Sequence, residues 1–223
     1  MIAACQIDRS AFRSSCCALV ISFPPTEILL ALASNPQIPP ETRHSAAWSL
    51  AELGHAEESK AFLGDLATDS ELGHRVRYYA ANTLGKVGYV QEAIPILEEL
   101  AADPTVPDEV RCDAASVLAE LGQLEKAISC IVYLASNKRE DLLKEERTLV
   151  AGEISEEAII FLQGVATDEN LPGHLRHAAL KALIALDRDE NTTDVLLAMA
   201  RDPEAPFWVR NTAYESLKRL VGM

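Results

Sequence analysis

The residues whose spacing comes closest to a metal site are the acidic ones of segment 187–191. This segment, DRDEN, begins as a calcium-binding loop does, with carboxylate and amide oxygens at alternating positions. However, Thr192 stands where the turn requires glycine, and Ala198 stands where the loop supplies its bidentate glutamate. The sequence therefore predicts a solvated helix start here and no calcium site.

Other residues that could bind phosphate or metal also lack the neighbours that such sites require. Gly85 and Lys86 have no glycine-rich loop before them, so they do not predict a phosphate-binding loop. The five cysteines contain no CxxC pair and are expected to be reduced, buried thiols. The histidines lack metal-ligand spacing and are expected to face solvent or cap helices: His44, His55, His74, His174 and His177. We predict no catalytic residue, no metal and no cofactor.

Charge and hydropathy narrow the possible partners. The 34 acidic and 20 basic residues give a net charge of −14, which repels a phosphate backbone, so nucleic acid is not an expected ligand. No apolar run reaches the eighteen residues that a membrane helix needs, and the first residues lack the order of a signal peptide. We expect a cytoplasmic protein with no membrane partner.

The elements that position the side chains follow from an internal repeat. Arginine recurs with a period of 34 residues at Arg43, Arg77 and Arg111, and again at Arg176 and Arg210. Glycine keeps the same step at Gly54, Gly88 and Gly122, where a residue with positive φ would end a helix. The shared pattern is LxxLAxDPxxPxxVRxxAAxxLxxLG, which predicts two helices joined by a proline-containing turn.

Such hairpins must stack, because one hairpin cannot bury its apolar face alone. We therefore predict an all-α fold, a right-handed α-solenoid (α-α superhelix) of about six hairpins plus an N-terminal half-repeat. The chain is expected to form one repeat domain, 1–223. Its units are a partial repeat at 1–25 and repeats at approximately 26–59, 60–93, 94–127, 128–158, 159–192 and 193–223.

Two units depart from the pattern. The spacing from Arg111 to Arg176 falls about three residues short of two periods, and the fourth unit has lost its arginine. Its second helix is expected to be short, which would bend the stack. The chain also begins inside a repeat, since residues 12–23 match a second helix. This leaves open that the array continues in a larger multidomain protein or that its N-terminal end is an interface.

With these motifs, residues 12–223 resemble the HEAT superfamily, and more narrowly the short HEAT-like repeats of bacterial and cyanobacterial proteins, including the phycobilisome-lyase type. The nearest resemblance is to arrays that follow NACHT-type nucleotide-binding domains in cyanobacteria. It implies a structural ladder between repeats, built from an aspartate and an arginine eight residues later: Asp69 and Arg77, Asp103 and Arg111, Asp168 and Arg176, and Asp202 and Arg210. Asn35 replaces the aspartate before Arg43.

Three other protein classes share one of these features but lack another. A tetratricopeptide array shares the 34-residue period but has a shorter turn and aromatic positions that this chain does not keep. HEAT-like deoxyhypusine hydroxylase needs His-Glu pairs, whereas His44 and His177 are followed by serine and alanine. HEAT-like alkylpurine DNA glycosylases need a basic groove, which the net charge contradicts. We therefore expect a protein that is not an enzyme.

Second helices generally line the inner surface of a solenoid, and their positions outside the core are free to vary. The candidate partner-binding residues at these positions are His44, Trp48, Glu52, Tyr78, Tyr79, Asn82 and Lys86. Trp48, Tyr78 and Tyr79 stand out because aromatic residues are only 5% of the chain and interfaces favour them. One or two of them packing onto a neighbouring helix is the alternative. Trp208 is assigned to a hairpin turn.

These observations predict a scaffold or sensor module that binds a protein or peptide along its inner face without catalysis. The alternative, implied by the resemblance, is a bilin-lyase-type subunit that assists chromophore attachment or holds the acceptor protein.

Overall fold

The computed structural model describes residues 25–138, 156–186, 190–203 and 205–221. Every regular element within these ranges is an α-helix, and there are eleven of them. They are α1 (Pro25–Ser34), α2 (Pro40–Glu52), α3 (Ala56–Thr68), α4 (His74–Val87), α5 (Val90–Ala102), α6 (Asp108–Glu120), α7 (Leu124–Lys138), α8 (Glu156–Thr167), α9 (Gly173–Leu186), α10 (Glu190–Arg201) and α11 (Phe207–Val221).

The chain divides into two compact units, Met1–Leu66 and Ala67–Met223. In the first unit, α1 packs on α2, and Ala33, Ala47 and Leu50 are fully buried. A buried hydroxyl joins α3 to α2, because Ser59 Oγ donates to the carbonyl of Ala47 at 2.6 Å.

In the second unit, consecutive helices pack as hairpins: α5 on α6, α8 on α9 and α10 on α11. Neighbouring hairpins also contact each other through like helices, since α4 packs on α6 and α8 on α10. Helical hairpins packed side by side are the building plan of an α-solenoid. The all-α solenoid fold class expected from the sequence is therefore confirmed.

The recurring glycines end the second helices as their spacing predicts. Gly54, Gly88 and Gly122 have φ values of 88°, 105° and 81°. At Gly88 this left-handed backbone lets the amides of Gly88 and Tyr89 donate back to the carbonyls of Gly85 and Leu84 at 3.2 and 2.9 Å. The chain then turns at once into the next helix, which keeps the hairpin connections short.

The first helices begin earlier than the unit boundaries expected from the sequence. Helices α3, α5 and α7 start at Ala56, Val90 and Leu124, about four residues before the expected starts at 60, 94 and 128. The expected boundaries therefore fall inside helices. In these three cases the start of the unit is better marked by the glycine that ends the preceding second helix.

Packing around the shortened fourth unit departs from a regular stack. Helix α9, from the fifth unit, packs directly on α6 of the third unit and also on α7. Lys181 Nζ on α9 lies 2.5 Å from Glu120 Oε1 on α6. The short second helix predicted for the fourth unit falls largely on residues 139–155, outside the described residues. The predicted N-terminal half-repeat also lies outside them, apart from Pro25.

Candidate functional site

The repeated arginines tie the two helices of a hairpin together. Four of them donate through Nε to the carbonyl ten residues earlier, at 3.0–3.1 Å: Arg43 to Ala33, Arg77 to Ala67, Arg111 to Ala101 and Arg176 to Ala166. Each accepting carbonyl lies at the C-terminal end of a first helix, where carbonyls lack helical partners and a positive charge is favourable. Arg210 stands half-buried at the equivalent position of α11.

The repeated aspartates shape the turn between the helices. The Oδ1 atoms of Asp69, Asp103 and Asp168 each accept from the backbone amide two residues later, at 3.0, 2.8 and 2.9 Å. Asn35 accepts in the same way at 2.9 Å. These are Asx turns, for which aspartate and asparagine serve equally well. The hydrogen bonds from Thr105 hold the pKa of Asp103 below its usual value.

The arginine partners across repeats differ from those that the resemblance implies. Arg176 Nη2 donates to Asp202 Oδ2 of the following hairpin at 2.6 Å, which joins two residues of the expected ladder. Arg77 Nη2 instead donates to Glu99 Oε1 on α5 at 2.8 Å, one helical turn before Asp103. Asp103 is held by its own turn, so a glutamate from α5 reaches the guanidinium instead.

The candidate residues of α2 lie in the first compact unit. His44 and Trp48 are half-buried, and Glu52 is exposed near the end of the helix. The four-residue step from His44 to Trp48 puts both on one face of α2.

The candidate residues of α4 lie in the second unit and do not all face outward. Tyr79 is 41% exposed and Lys86 is exposed, whereas Tyr78 is only 9% exposed. Tyr78 therefore follows the alternative of packing inward and not the expected outward position, since it is buried on a helix that packs on both α5 and α6. Burial is the main cause that raises the pKa of the Tyr78 hydroxyl above its usual value. Asn82 is half-buried, and its Oδ1 atom is buried and has no hydrogen-bond partner among the described residues.

The tyrosines of α4 adjoin acidic residues of α6. Arg75 joins the helices, since its Nη2 lies 2.7 Å from Glu109 Oε2 and it also donates to the Tyr79 side chain; both contacts raise the pKa of Arg75. Asp113 is half-buried, and burial, helped by the nearby charge of Glu109, raises its pKa to about 6, while Arg75 lowers it. We call Arg75, Tyr79, Glu109 and Asp113 the α4–α6 cluster.

A second aromatic contact joins α9 and α11. The rings of His177 and Trp208 meet edge to face, with centroids 4.9 Å apart, and His177 Nε2 lies 3.2 Å from Thr212 Oγ1. Burial lowers the pKa of His177 to about 4, so its ring is neutral near pH 7. The expectation of a solvent-facing or capping histidine is wrong for His177. Trp208 joins two hairpins and remains 44% exposed.

Some exposed or half-buried groups were not singled out from the sequence. Phe207 and Tyr214 of α11 are 74% and 53% exposed. The sequence shows only that Asp113 lies two residues after Arg111. Its raised pKa could not be predicted, because it depends on packing between helices that the repeat pattern does not specify.

Two kinds of site are absent from the residues that the structure describes. Within them, no group of three or more His, Cys, Asp or Glu side chains is arranged to hold a metal ion. Among the same residues, no helix combines the length and the apolar character that crossing a membrane requires.

Comparison with known protein families gives a match for part of the chain. Residues 26–119 match the family model for HEAT repeats, which covers α1 to α6 except the first residue of α1 and the last residue of α6. The match supports a HEAT-like repeat protein, a class whose members generally serve as scaffolds for protein–protein interaction. The comparisons with curated proteins and with solved structures gave no match.

Proposed function

We propose that the chain is a non-catalytic interaction scaffold that binds a protein or peptide on the second-helix surface of its second unit. The contact area centres on the α4–α6 cluster and includes Asn82 and Lys86 on the same helix as Tyr79. The partner contributes a positively charged side chain. This proposal refines the general scaffold role of HEAT repeats to a particular surface.

The observation that carries the proposal is the environment of Asp113. Its carboxyl is half-buried and has a pKa near 6, so that its negative charge is costly in the free protein. Nearby cations offset only part of this cost, because Arg75 is paired with Glu109 at 2.7 Å and Lys181 with Glu120 at 2.5 Å. A lysine or arginine from a partner would stabilise the charged carboxylate and gain a charge-assisted hydrogen bond.

Tyr79 supplies the apolar part of the same contact. It is 41% exposed and is held through Arg75, which also pairs with Glu109. A tyrosine whose position is fixed loses little conformational entropy on binding and covers the aliphatic stem of a partner lysine or arginine. The net charge of −14 further favours association with a basic partner.

Site-specific photocrosslinking tests this proposal. A photoreactive phenylalanine analogue replaces Tyr79 in one protein and Tyr214 in the other, since both tyrosines are exposed and belong to the second unit. In lysate from the native host, we expect a partner that crosslinks from position 79 and not from position 214.

The captured partner then allows a quantitative comparison. We expect Asp113→Asn to weaken its binding by about tenfold, the size of one charge-assisted contact. Tyr79→Ser is expected to weaken binding as well, while Tyr214→Ser leaves it unchanged. Equal crosslinking from both positions, or full affinity in both Asp113→Asn and Tyr79→Ser, contradicts the proposed surface.

The bilin-lyase-type role and a place in a larger NACHT-type protein stay predictions from the resemblance. A tetrapyrrole titration separates the first of these from a plain scaffold, because chromophore binding would shift the absorbance to the red.

A further inference from the structure

A cavity of about 650 Å³ lies in the second unit, and its lining residues differ from those of the surface just described. Its walls come mainly from α5, α6 and α7, and its lining includes Ala101, Arg111, Leu118, Ile128 and Tyr133. This volume falls within the range of small-molecule sites, which are largely apolar with a few polar groups that fix the ligand.

The polar group that marks this cavity is the guanidinium of Arg111. The side chain is buried, with 5% of the residue exposed, and its Nε donates to the Ala101 carbonyl at 3.0 Å. Asp108 Oδ1 stands 3.8 Å from Nη1, which is too far for a hydrogen bond, and Asp108 Oδ2 is already 2.8 Å from Lys138 Nζ. The two Nη groups therefore have no hydrogen-bond acceptor in the part of the chain that the structure describes.

The neighbouring repeats provide an internal comparison. Arg77 donates to an acid 22 residues later, Glu99, and Arg176 donates to an acid 26 residues later, Asp202. The same steps from Arg111 lead to Tyr133 and Asn137. Tyr133 places its ring 5.0 Å from the guanidinium carbon, which is a cation–π contact and accepts none of the in-plane hydrogen bonds. Among the described residues, the third unit thus keeps the buried arginine and its longer ion pair with Asp108, but no acid from the next hairpin provides it with a hydrogen-bond acceptor as in the other two units.

We propose that this cavity binds a small organic carboxylate, which takes the place of the missing acid. Its carboxylate accepts from the Nη groups of Arg111, and its apolar body lies against Leu118, Ile128 and the Tyr133 ring. A planar guanidinium suits a carboxylate because it can donate two parallel hydrogen bonds. The nearby acids oppose this little, since Asp108 is paired with Lys138, Glu98 is paired with Lys126, and Glu125 is exposed to solvent.

A matched pair of probes tests whether the charge is recognised. The probes are 2-naphthylacetate and its neutral amide, titrated into the full chain whose isoleucine methyl groups carry an NMR label. Ile128 lines the cavity and is 4% exposed, whereas Ile28 lies on α1 and is 37% exposed. We expect the acid to shift the Ile128 signal in a saturable way without shifting Ile28, and we expect the amide to bind at least about tenfold more weakly.

A variant that restores the repeat's own acid tests the role of Arg111. Asn137 is exposed, so Asn137→Asp should fold, and it adds a carboxylate at the same step that joins Arg176 to Asp202. We expect it to pair with Arg111 and to weaken binding of the acid by about tenfold or more, while the neutral control Asn137→Gln binds as the wild type does. Arg111→Met should abolish binding if it folds.

Three results would overturn the proposal. The first is no saturable shift of Ile128 with the acid. The second is equal affinity for the acid and the amide. The third is an Asn137→Asp variant that binds 2-naphthylacetate with unchanged affinity although the pKa of the new aspartate is lowered. The new carboxylate would then pair with Arg111 without competing with the ligand. Failure here leaves the α4–α6 surface untouched, because the two sites share no residue.

Discussion

Two arginine–acid pairs with similar geometry should differ in strength because they differ in burial. The Arg176–Asp202 pair has a 2.6 Å contact, and its side chains are 5% and 11% exposed. The Arg77–Glu99 pair has a 2.8 Å contact, but Glu99 is 61% exposed. Both pairs join consecutive hairpins within the second unit, so one variant can serve as the control for the other.

The size of each effect follows from what the substitution leaves behind. Asp202→Asn removes a charge and leaves the buried Arg176 guanidinium with a neutral neighbour, which should lower the free energy of unfolding by about 2–4 kcal/mol. Glu99→Gln removes a charge that water already screens, so the expected loss is below about 1 kcal/mol. We expect the Asp202 effect to exceed the Glu99 effect by at least about 1 kcal/mol.

Urea denaturation followed by circular dichroism measures both variants against the wild type. At high salt the Glu99→Gln difference should shrink further, while the Asp202→Asn difference should largely persist, because salt screens exposed pairs more than buried ones. Equal losses, or a larger loss for Glu99→Gln, would refute the idea that burial sets the strength of these inter-repeat bonds.

Two further predictions concern a turn and the pH dependence of stability. Gly88→Ala should lower the free energy of unfolding by roughly 1–2 kcal/mol through backbone strain, because φ is 105° there and no described atom lies within 4 Å of the new Cβ. Gly164→Ala, inside α8 with equal space, should raise the free energy of unfolding by about 0.5–1 kcal/mol. Thermal denaturation measures both variants, and a change of the same sign in the two would contradict this prediction. Because the pKa of Asp113 is about 6 when folded and roughly 4 when unfolded, the folded state holds this proton more firmly. Its contribution to stability is full below about pH 4 and is lost as the pH rises to about 6, so Asp113→Asn should be more stable than the wild type by roughly 1–2 kcal/mol at pH 7, with this gain disappearing by pH 4. A pH-independent difference in urea midpoint would argue against that pKa.

The sequence was enough to predict the hairpins because their determinants are local. Glycines with positive φ end three of the second helices, at Gly54, Gly88 and Gly122, and four of the repeat arginines donate to the carbonyl ten residues earlier. Both features need only one hairpin, so they recur wherever the pattern does.

The candidate surface was harder to predict because it depends on how each helix is rotated against its neighbours. Tyr78 and Tyr79 are adjacent, yet successive residues on a helix point about 100° apart, so that packing against neighbouring helices buries one ring and leaves the other exposed. The packing of α9 on α6 is less predictable still, because it joins units that are not neighbours in the sequence.

The sequence shows that no acid follows Arg111 by 22 or 26 residues, but the importance of these two steps is known only from the structure. The expected ladder paired each arginine with the aspartate eight residues before it, whereas the guanidinium groups of Arg77 and Arg176 reach acids 22 and 26 residues later. Only with these steps known do Tyr133 and Asn137 stand out as replacements.

The proposed carboxylate site combines a structural role and a binding role in one arginine. Burying an arginine is costly unless its donors find acceptors, and in two repeats an acid from the next hairpin meets that need. In the third repeat the Nε bond of Arg111 to Ala101 still closes the hairpin and fixes the position of the guanidinium. The structural role of one end of the side chain thus maintains an open donor at the other end, at the wall of a cavity that a carboxylate ligand can enter.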